Sequence, residues 1–223
     1  MPMLNEAAGL AATLQALTPL LERGAQLVLA DGGSTDDTVA VAQAFARDLA
    51  TVQVIHAPRG RALQMNAGAQ HAQGHTLLFL HADTGLPPGA DALIAQALAD
   101  GRHVWGRFDV HISGQHWMLR VIGTCMNLRS RISGIATGDQ GLFMTRTAFD
   151  QVKGFAPQPL MEDIDLSARL RQLSRPACLR ARVQTSGRRW ETRGVWRTML
   201  LMWQLRWAYW RGAAPEQLAQ RYR

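Results

Sequence analysis

The chain has 223 residues, 47% of them hydrophobic and 18% charged, which is enough apolar material for one well-packed domain and too much for a disordered chain. Its two cysteines, Cys125 and Cys178, lie far apart and match no metal or redox spacing, which excludes a disulfide scaffold or a cysteine-built zinc site. A formal net charge of +7 calls for an anionic partner, a condition that nucleotide, nucleic acid and anionic lipid would each meet.

Residues 6–24 (EAAGLAATLQALTPLLERG) predict an amphipathic helix disturbed near Pro19, and 25–31 (AQLVLAD) a strand. That strand runs into ADGGSTDDT, where Gly32 and Gly33 permit a tight turn and Ser34 or Thr35 can cap the helix predicted over 34–49. Asp36 and Asp37 favour the positive end of the same helix. Asp31 is left over at the strand's carboxyl end, where a carboxylate can accept hydrogen bonds from a base or ribose. The turn has no lysine and no Walker spacing, so it is not a P-loop. A strand over 52–57 then leads through APRGRALQMNAGA into a helix over 60–74. Arg59, Gly60 and Arg61 there suit a phosphate or base contact beside free backbone N–H groups, or equally a solvated basic turn.

The stretch HTLLFLHADTGLPPG, 75–89, reads as a buried strand ending in His81 and Asp83. At i and i+2 on a strand's carboxyl end the two side chains can point into one crevice, the place for a metal or nucleotide in an open α/β sheet. The plainer alternative is that Asp83 starts the turn and His81 hydrogen-bonds locally. A helix over 87–101 follows. Strands alternating with helices of this length imply βαβ crossovers and a largely parallel sheet.

After Gly101 the rhythm becomes α+β: a strand with a bulge over 103–112, a helix over 115–132, a strand over 138–146, a helix over 161–173 and a last strand over 177–185. The helix at 161–173 carries Glu162, Asp163 and Asp165 in its first turn. Acids there are routine dipole partners; brought together with Asp83, one carboxylate could hold a hard divalent cation and another take a proton from a hydroxyl. Residues 194–212 predict an amphipathic helix with Trp196, Met199, Leu200, Trp203, Trp207 and Trp210 at helical spacing and Arg197, Arg206 and Arg211 within reach of anionic head groups. Packing of that helix on the domain's own core, or in a dimer, is the alternative. Arg188 to Arg223 holds eight arginines and two glutamates, and five of the seven tryptophans lie between Trp190 and Trp210, so 191–223 is expected to be a helical tail on a body over 1–190. No apolar run reaches membrane-spanning length, and the expected location is the cytoplasm, with the tail on the inner face of the membrane.

The segments PMLNE, DGGSTD, RGRALQMNAGA, FLHAD, GDQG, MED and the pair Arg189-Trp190 occur in the order found in family 2 glycosyltransferases of the GT-A fold. Within that family the chain resembles the short bacterial subfamily labelled selenodomain-associated transferase 2. The resemblance covers nearly the whole chain and implies a Rossmann-like, mostly parallel sheet with helices on both faces and an α+β acceptor-side half. It also implies roles. Glu6 and Asp31 resemble the acids that bind the nucleoside, and Arg61 a neighbouring nucleotide contact. His81-Ala82-Asp83 stands in the place of the family's Asp-x-Asp, so His81 would join the nucleotide site and Asp83 would ligate Mg²⁺ or Mn²⁺ bridging the donor's diphosphate. Asp163, the second acid of the family's Glu-Asp pair, would be the catalytic base, with Asp139, Glu162, Arg189 and Trp190 on the acceptor or diphosphate side.

Three departures stand out. His81 replaces the first aspartate, and its imidazole could bind ribose or metal only when neutral. Ser186 stands where Gln would begin the family's Gln-x-x-Arg-Trp, which argues against a processive polymer synthase. The family's first strand is absent ahead of PMLNE, so about five to eight further residues, mostly Val and Ile, are expected upstream. The reaction implied is an inverting, metal-dependent, non-processive transfer of a hexosyl unit from a nucleotide-sugar donor to a hydroxyl on a lipid-linked or small-molecule acceptor, with no nucleic-acid partner. Two other classes compete: a nucleotidyltransferase on a similar sheet, whose Gly-rich basic signature near the N-terminus is not visible, and a nucleotide-binding peripheral membrane protein without catalysis.

Overall fold

The computed structural model describes residues 1–222. In chain order it comprises β1 (Pro2–Met3), α1 (Ala7–Glu22), β2 (Leu27–Asp31), α2 (Thr38–Ala46), β3 (Val52–His56), α3 (Arg61–His71), β4 (Thr76–Phe79) and β5 (Thr84–Gly85). There follow α4 (Ala90–Leu98), β6 (Trp105–Ser113), α5 (Met118–Ser133), β7 (Leu142–Thr145), α6 (Arg146–Gln151), α7 (Glu162–Leu170), β8 (Ala177–Ser186), α8 (Arg188–Arg193), α9 (Val195–Trp210) and α10 (Pro215–Tyr222). A 3-10 turn over Gly138–Gln140 leads into β7.

The strands form two groups. β1, β2 and β3 pair in parallel, as the alternation of apolar strand and amphipathic helix requires, and Leu10, Leu14, Leu29 and Val52 close the core between them and α1. The other five run in the order β4-β7-β6-β8-β5, antiparallel except for the parallel β6–β8 ladder. The register shift between Phe108 and Asp109 is the bulge expected in β6. It lies beside a fully buried Arg107, which pairs with Asp109 and donates to Asn127 O at 3.1 Å, while Arg131 holds the other Asp109 oxygen at 2.6 Å. α1 continues through Pro19 to Glu22.

Sequence reading placed no strand before Asn5. Pro2–Met3 nevertheless pair with Ala30–Asp31, and Gln64 from α3 donates to both Met3 O and Ala30 O at 2.9 Å. Two residues are too few to show a period, so only the paired backbone reveals them as β1.

Two non-glycine residues take left-handed backbone conformations directly before candidate site acids: Asn5 (φ 55°) before Glu6, and Met161 (φ 66°) before Glu162 and Asp163. Such conformations cost about 1–3 kcal/mol and persist only where surrounding structure enforces them. Here the buried Met161 side chain packs with Leu160 and Leu205, and Asn5 Oδ1 accepts from Thr35 N at 2.8 Å. Residues of α8, α9 and α10 line one cleft with the turn that follows β4. α9 differs from a simple surface helix. Val195, Thr198 and Leu205 are buried, while Trp196, Leu200, Trp203, Trp207 and Trp210 form an exposed stripe.

Candidate active site

A cleft of about 900 Å³ opens where the carboxyl end of β4, the amino end of α3 and the segment after β8 meet. Glu6, Arg61, His81, Asp83, Asp139, Arg189 and Trp190, all singled out from the sequence, line it. β5, directly after Asp83, pairs with β8, and Thr84 Oγ1 lies 3.2 Å from Thr185 Oγ1. That pairing holds the His81–Asp83 turn beside Ser186, Arg188 and Arg189.

Asp83 is exposed, and among the described residues it forms no ion pair and its side chain bonds only Thr84 Oγ1, at 3.4 Å. Glu6 sits 3.6 Å from Arg188, yet burial, and then the negative charge of Asp83, push its carboxyl above the ordinary glutamate range. Two carboxylates therefore face one space, which favours a cation between them. Among the described residues no three His, Cys, Asp or Glu side chains cluster closely enough to hold an ion alone. One or two protein oxygens, with phosphate oxygens and water supplying the rest, is the mode in which Mg²⁺ and Mn²⁺ bind nucleotides, so the donor set fits such an ion.

His81 does not open freely into the cleft. Its Nδ1 lies 3.2 Å from Asp139 Oδ1, and its Nε2 is buried, without a partner among the described residues, against Gly138, where a Cβ would come within 2.6 Å. The glycine of GDQG is thus the space that the imidazole fills. Burial works against the Asp139 charge, but the His81 contact, Arg61 and Arg189 outweigh it and hold this carboxyl below the ordinary range.

Arg61 binds Glu162 at 3.3 Å, surrounded by the charges of Asp139, Asp163 and Asp83. Glu162 is 2% exposed; burial first, and the neighbouring Asp163 charge second, raise its pKa against the pull of Arg61. Asp163 accepts from Gly138 N and Ile164 N, each at 2.8 Å, and keeps part of its surface open. Neither acid of this pair lines the cleft itself.

Asp31 is placed apart from the rest. It is 1% exposed and takes bonds from Gly33 N at 2.9 Å, Ser34 N at 3.1 Å and Ser34 Oγ at 2.6 Å, so the turn consumes its carboxylate. Burial alone would raise its pKa, but those bonds lower it below the ordinary aspartate value of 3.8. Asp31→Ala should destabilise the fold by about 1–3 kcal/mol, because buried donors lose their acceptor. A depressed folded pKa means the stabilisation is complete above the unfolded value and disappears as pH falls through the folded one. Urea melts at pH 7 and pH 2 check this: the difference between wild type and variant should shrink at the lower pH.

Sequence reasoning missed Arg188, Arg193 and Tyr222 as lining residues. Arg189 bonds the Tyr222 hydroxyl, its guanidinium stacks 4.0 Å from that ring's centroid, and Arg193 donates to Tyr222 O at 2.9 Å. The arginine-rich composition after Arg188 was the only available signal; that α10 folds back over the cleft is a tertiary fact.

The mixed α/β fold, with an acidic turn at the carboxyl end of β4 and arginines in the cleft, is that of the GT-A class. The chain belongs to glycosyl transferase family 2, whose profile matches residues 1–156. Curated relatives named PGL/p-HBAD biosynthesis glycosyltransferase, from Mycobacterium tuberculosis and Mycobacterium bovis, are 40% identical over 104 residues, 46% of this chain. The match spans only 40% of their length. Among solved structures, S. aureus TarS 1-349 in complex with UDP-GlcNAc superposes with a TM-score of 0.66 at 15% identity, over 83% of this chain and 56% of that one. The mannosyltransferase PcManGT from Pyrobaculum calidifontis, in complex with GDP-Man and Mn²⁺, gives 0.60 at 18% identity over 82% and 54%. At these identities the likeness establishes the fold.

Proposed function

We propose that this chain transfers a sugar from a nucleotide-sugar donor to an acceptor hydroxyl with inversion at the anomeric carbon, as a non-processive, divalent-metal-dependent enzyme. The observation that carries the reading is the mixture of charge in the cleft, where the exposed Asp83 carboxylate lies among Arg61, Arg188 and Arg189. That arrangement suits a metal-bound diphosphate. Mg²⁺ or Mn²⁺ held by Asp83 would supply Lewis-acid stabilisation of the leaving phosphate. Glu6 and His81 contact the nucleoside side, and Arg61 and Arg189 stabilise the charge that gathers on the diphosphate as the glycosidic C–O bond breaks. Asp163 takes the acceptor proton while the acceptor oxygen bonds to the anomeric carbon from the opposite face, so one base suffices and no covalent enzyme intermediate is needed. In this reading Asp139 orients His81, Glu162 anchors Arg61, and Trp190 walls the acceptor side. Asp31 acts through the turn it organises.

The names of the relatives and the ligands UDP-GlcNAc and GDP-Man in the solved structures support a nucleoside-diphosphate sugar donor. A thermal-shift panel of nucleoside diphosphates and their sugars, with and without Mn²⁺, tests it. A ligand that binds only the folded state raises the melting temperature, by about 2.7 kcal/mol of stabilisation at 100 times its dissociation constant. Selective, Mn²⁺-dependent stabilisation is expected; a flat panel counts against the reading.

The body over 1–190 carries this chemistry, and we assign the tail over 191–223 to acceptor delivery at a cytoplasmic membrane surface. No described helix is long and apolar enough to cross a membrane. The support is the exposed stripe of α9, together with exposed Trp117 just before α5 and exposed Val121, Leu128 and Ile132 on it, with Arg197 and Arg211 exposed beside the tryptophans. The full chain should float with phosphatidylglycerol vesicles and not with phosphatidylcholine ones, and the double variant Trp203→Glu/Trp207→Glu should remain at the bottom of the gradient. Failure of the wild type to float with anionic vesicles removes the membrane role.

A further inference from the structure

Arg206 does not reach outward toward head groups. Val195, Met199, Met202 and Arg206 follow one helical row, and Val195 and Met199 share an apolar cluster with Met118, Ile122 and Met126 of α5. Arg129 continues that second row. The two arginines therefore lie on facing rows of α5 and α9, near enough for the charge of Arg206 to act on Arg129, and Asp163 at the start of α7 acts on both, with Met202 and Leu205 in one cluster with Met161 and Ile164 beside it.

These arginines differ from their neighbours. Arg107 pairs with Asp109 and donates to Asn127 O, leaving only its Nε without an acceptor among the described residues, and Arg131 is held by Asp109 and the Cys178 carbonyl. Among the described residues, Arg129 Nε and Nη2 are buried with no acceptor, and neither Arg129 nor Arg206 forms an ion pair. Burial, and then the charge of Arg206, lower the Arg129 pKa to about 10, and Asp163 offsets this only in part. Two cations against one carboxylate leave a net positive charge in a half-buried gap. Packing alone gives no reason to keep it, because an uncompensated buried charge is strongly destabilising.

We propose that Arg129 and Arg206 form an anion-binding site that takes a phosphate or phosphate-ester group of the acceptor and so holds the reacting hydroxyl at Asp163. Neither residue lines the cleft with Arg61 and Arg189, so this site is distinct from the one assigned to the donor diphosphate. A single fork can saturate the two oxygens of a carboxylate, whereas a phosphate offers enough oxygens to accept from both guanidiniums. The word acceptor rests on the glycosyl-transfer reading; the anion site itself does not.

Equilibrium titration with inorganic phosphate, and with vesicles of phosphatidic acid against phosphatidylcholine, tests the site in the full chain with UDP or GDP and Mn²⁺ filling the cleft. Arg129→Met and Arg206→Met keep the apolar stems and should each weaken phosphate binding at least tenfold, with nucleotide affinity and melting temperature preserved. Inorganic phosphate binding that depends on both arginines identifies a soluble phosphate source; dependence seen only with phosphatidic acid identifies a lipid one. Unchanged affinity for both probes in both variants, or a parallel loss of nucleotide affinity, overturns the proposal. If neither nucleotide binds the wild type, the donor reading fails separately, and the phosphate titration without nucleotide still decides the arginine site.

Discussion

Asp163→Asn is expected to keep nucleotide-sugar binding and lower turnover by about two to four orders of magnitude, the scale for loss of a positioned base. Asparagine has nearly the shape of aspartate, and its one oxygen can still accept from Gly138 N, so the 3-10 turn before β7 should hold. What disappears is the basic oxygen. The Asp163 charge also helps raise Glu162, so in the variant that buried carboxyl should titrate nearer its ordinary range, which a pH profile of residual activity would reveal. Single-turnover kinetics with saturating donor separates chemistry from binding. Near-normal turnover would move the base elsewhere, with Glu162 or Asp139 next in line.

The second large effect should come from Asp83→Ala, which is expected to abolish the Mn²⁺-dependent part of nucleotide affinity and leave the melting temperature within the range of an ordinary surface substitution, about 0.5 kcal/mol. The side chain is exposed and among the described residues has one weak hydrogen bond, to Thr84, so the fold has little to lose. Its charge also raises Glu6, whose pKa should fall in the variant. Calorimetric titration with UDP and GDP, with and without Mn²⁺, measures this. An unchanged metal dependence would place the ion on other oxygens.

The strands β2, β3, β4 and β6 were legible because each is an apolar run bounded by turn residues, and the bulge in β6 fell where its pattern breaks. β1 and β5 were not legible. Each has two residues, and each exists through pairing with a strand distant in sequence, β2 and β8. Likewise α10 has one buried apolar residue, Leu218, and no recognisable stripe.

Most of the candidate site was visible as polar residues at strand ends and helix starts, since that is where an open α/β sheet exposes them. Asp31 obeyed the same rule, but the nearest donors to its side chain are the N–H groups of Gly33 and Ser34, and local bonds captured it. The tryptophan stripe of α9 was correctly spaced, whereas the inward turn of Arg206 depends on which flank meets α5. Arg129 had no signal at all in the sequence, because lack of a partner is a property of the folded surroundings.

The most direct test of the account is to incubate the full chain with UDP-GlcNAc or GDP-Man and Mn²⁺ and identify the phosphate product. Release of UDP or GDP, suppressed by chelation and by Asp83→Ala, is the predicted result. Release of pyrophosphate from nucleoside triphosphates, with no nucleoside diphosphate formed from any sugar donor, would contradict it and identify the chain as a nucleotidyltransferase.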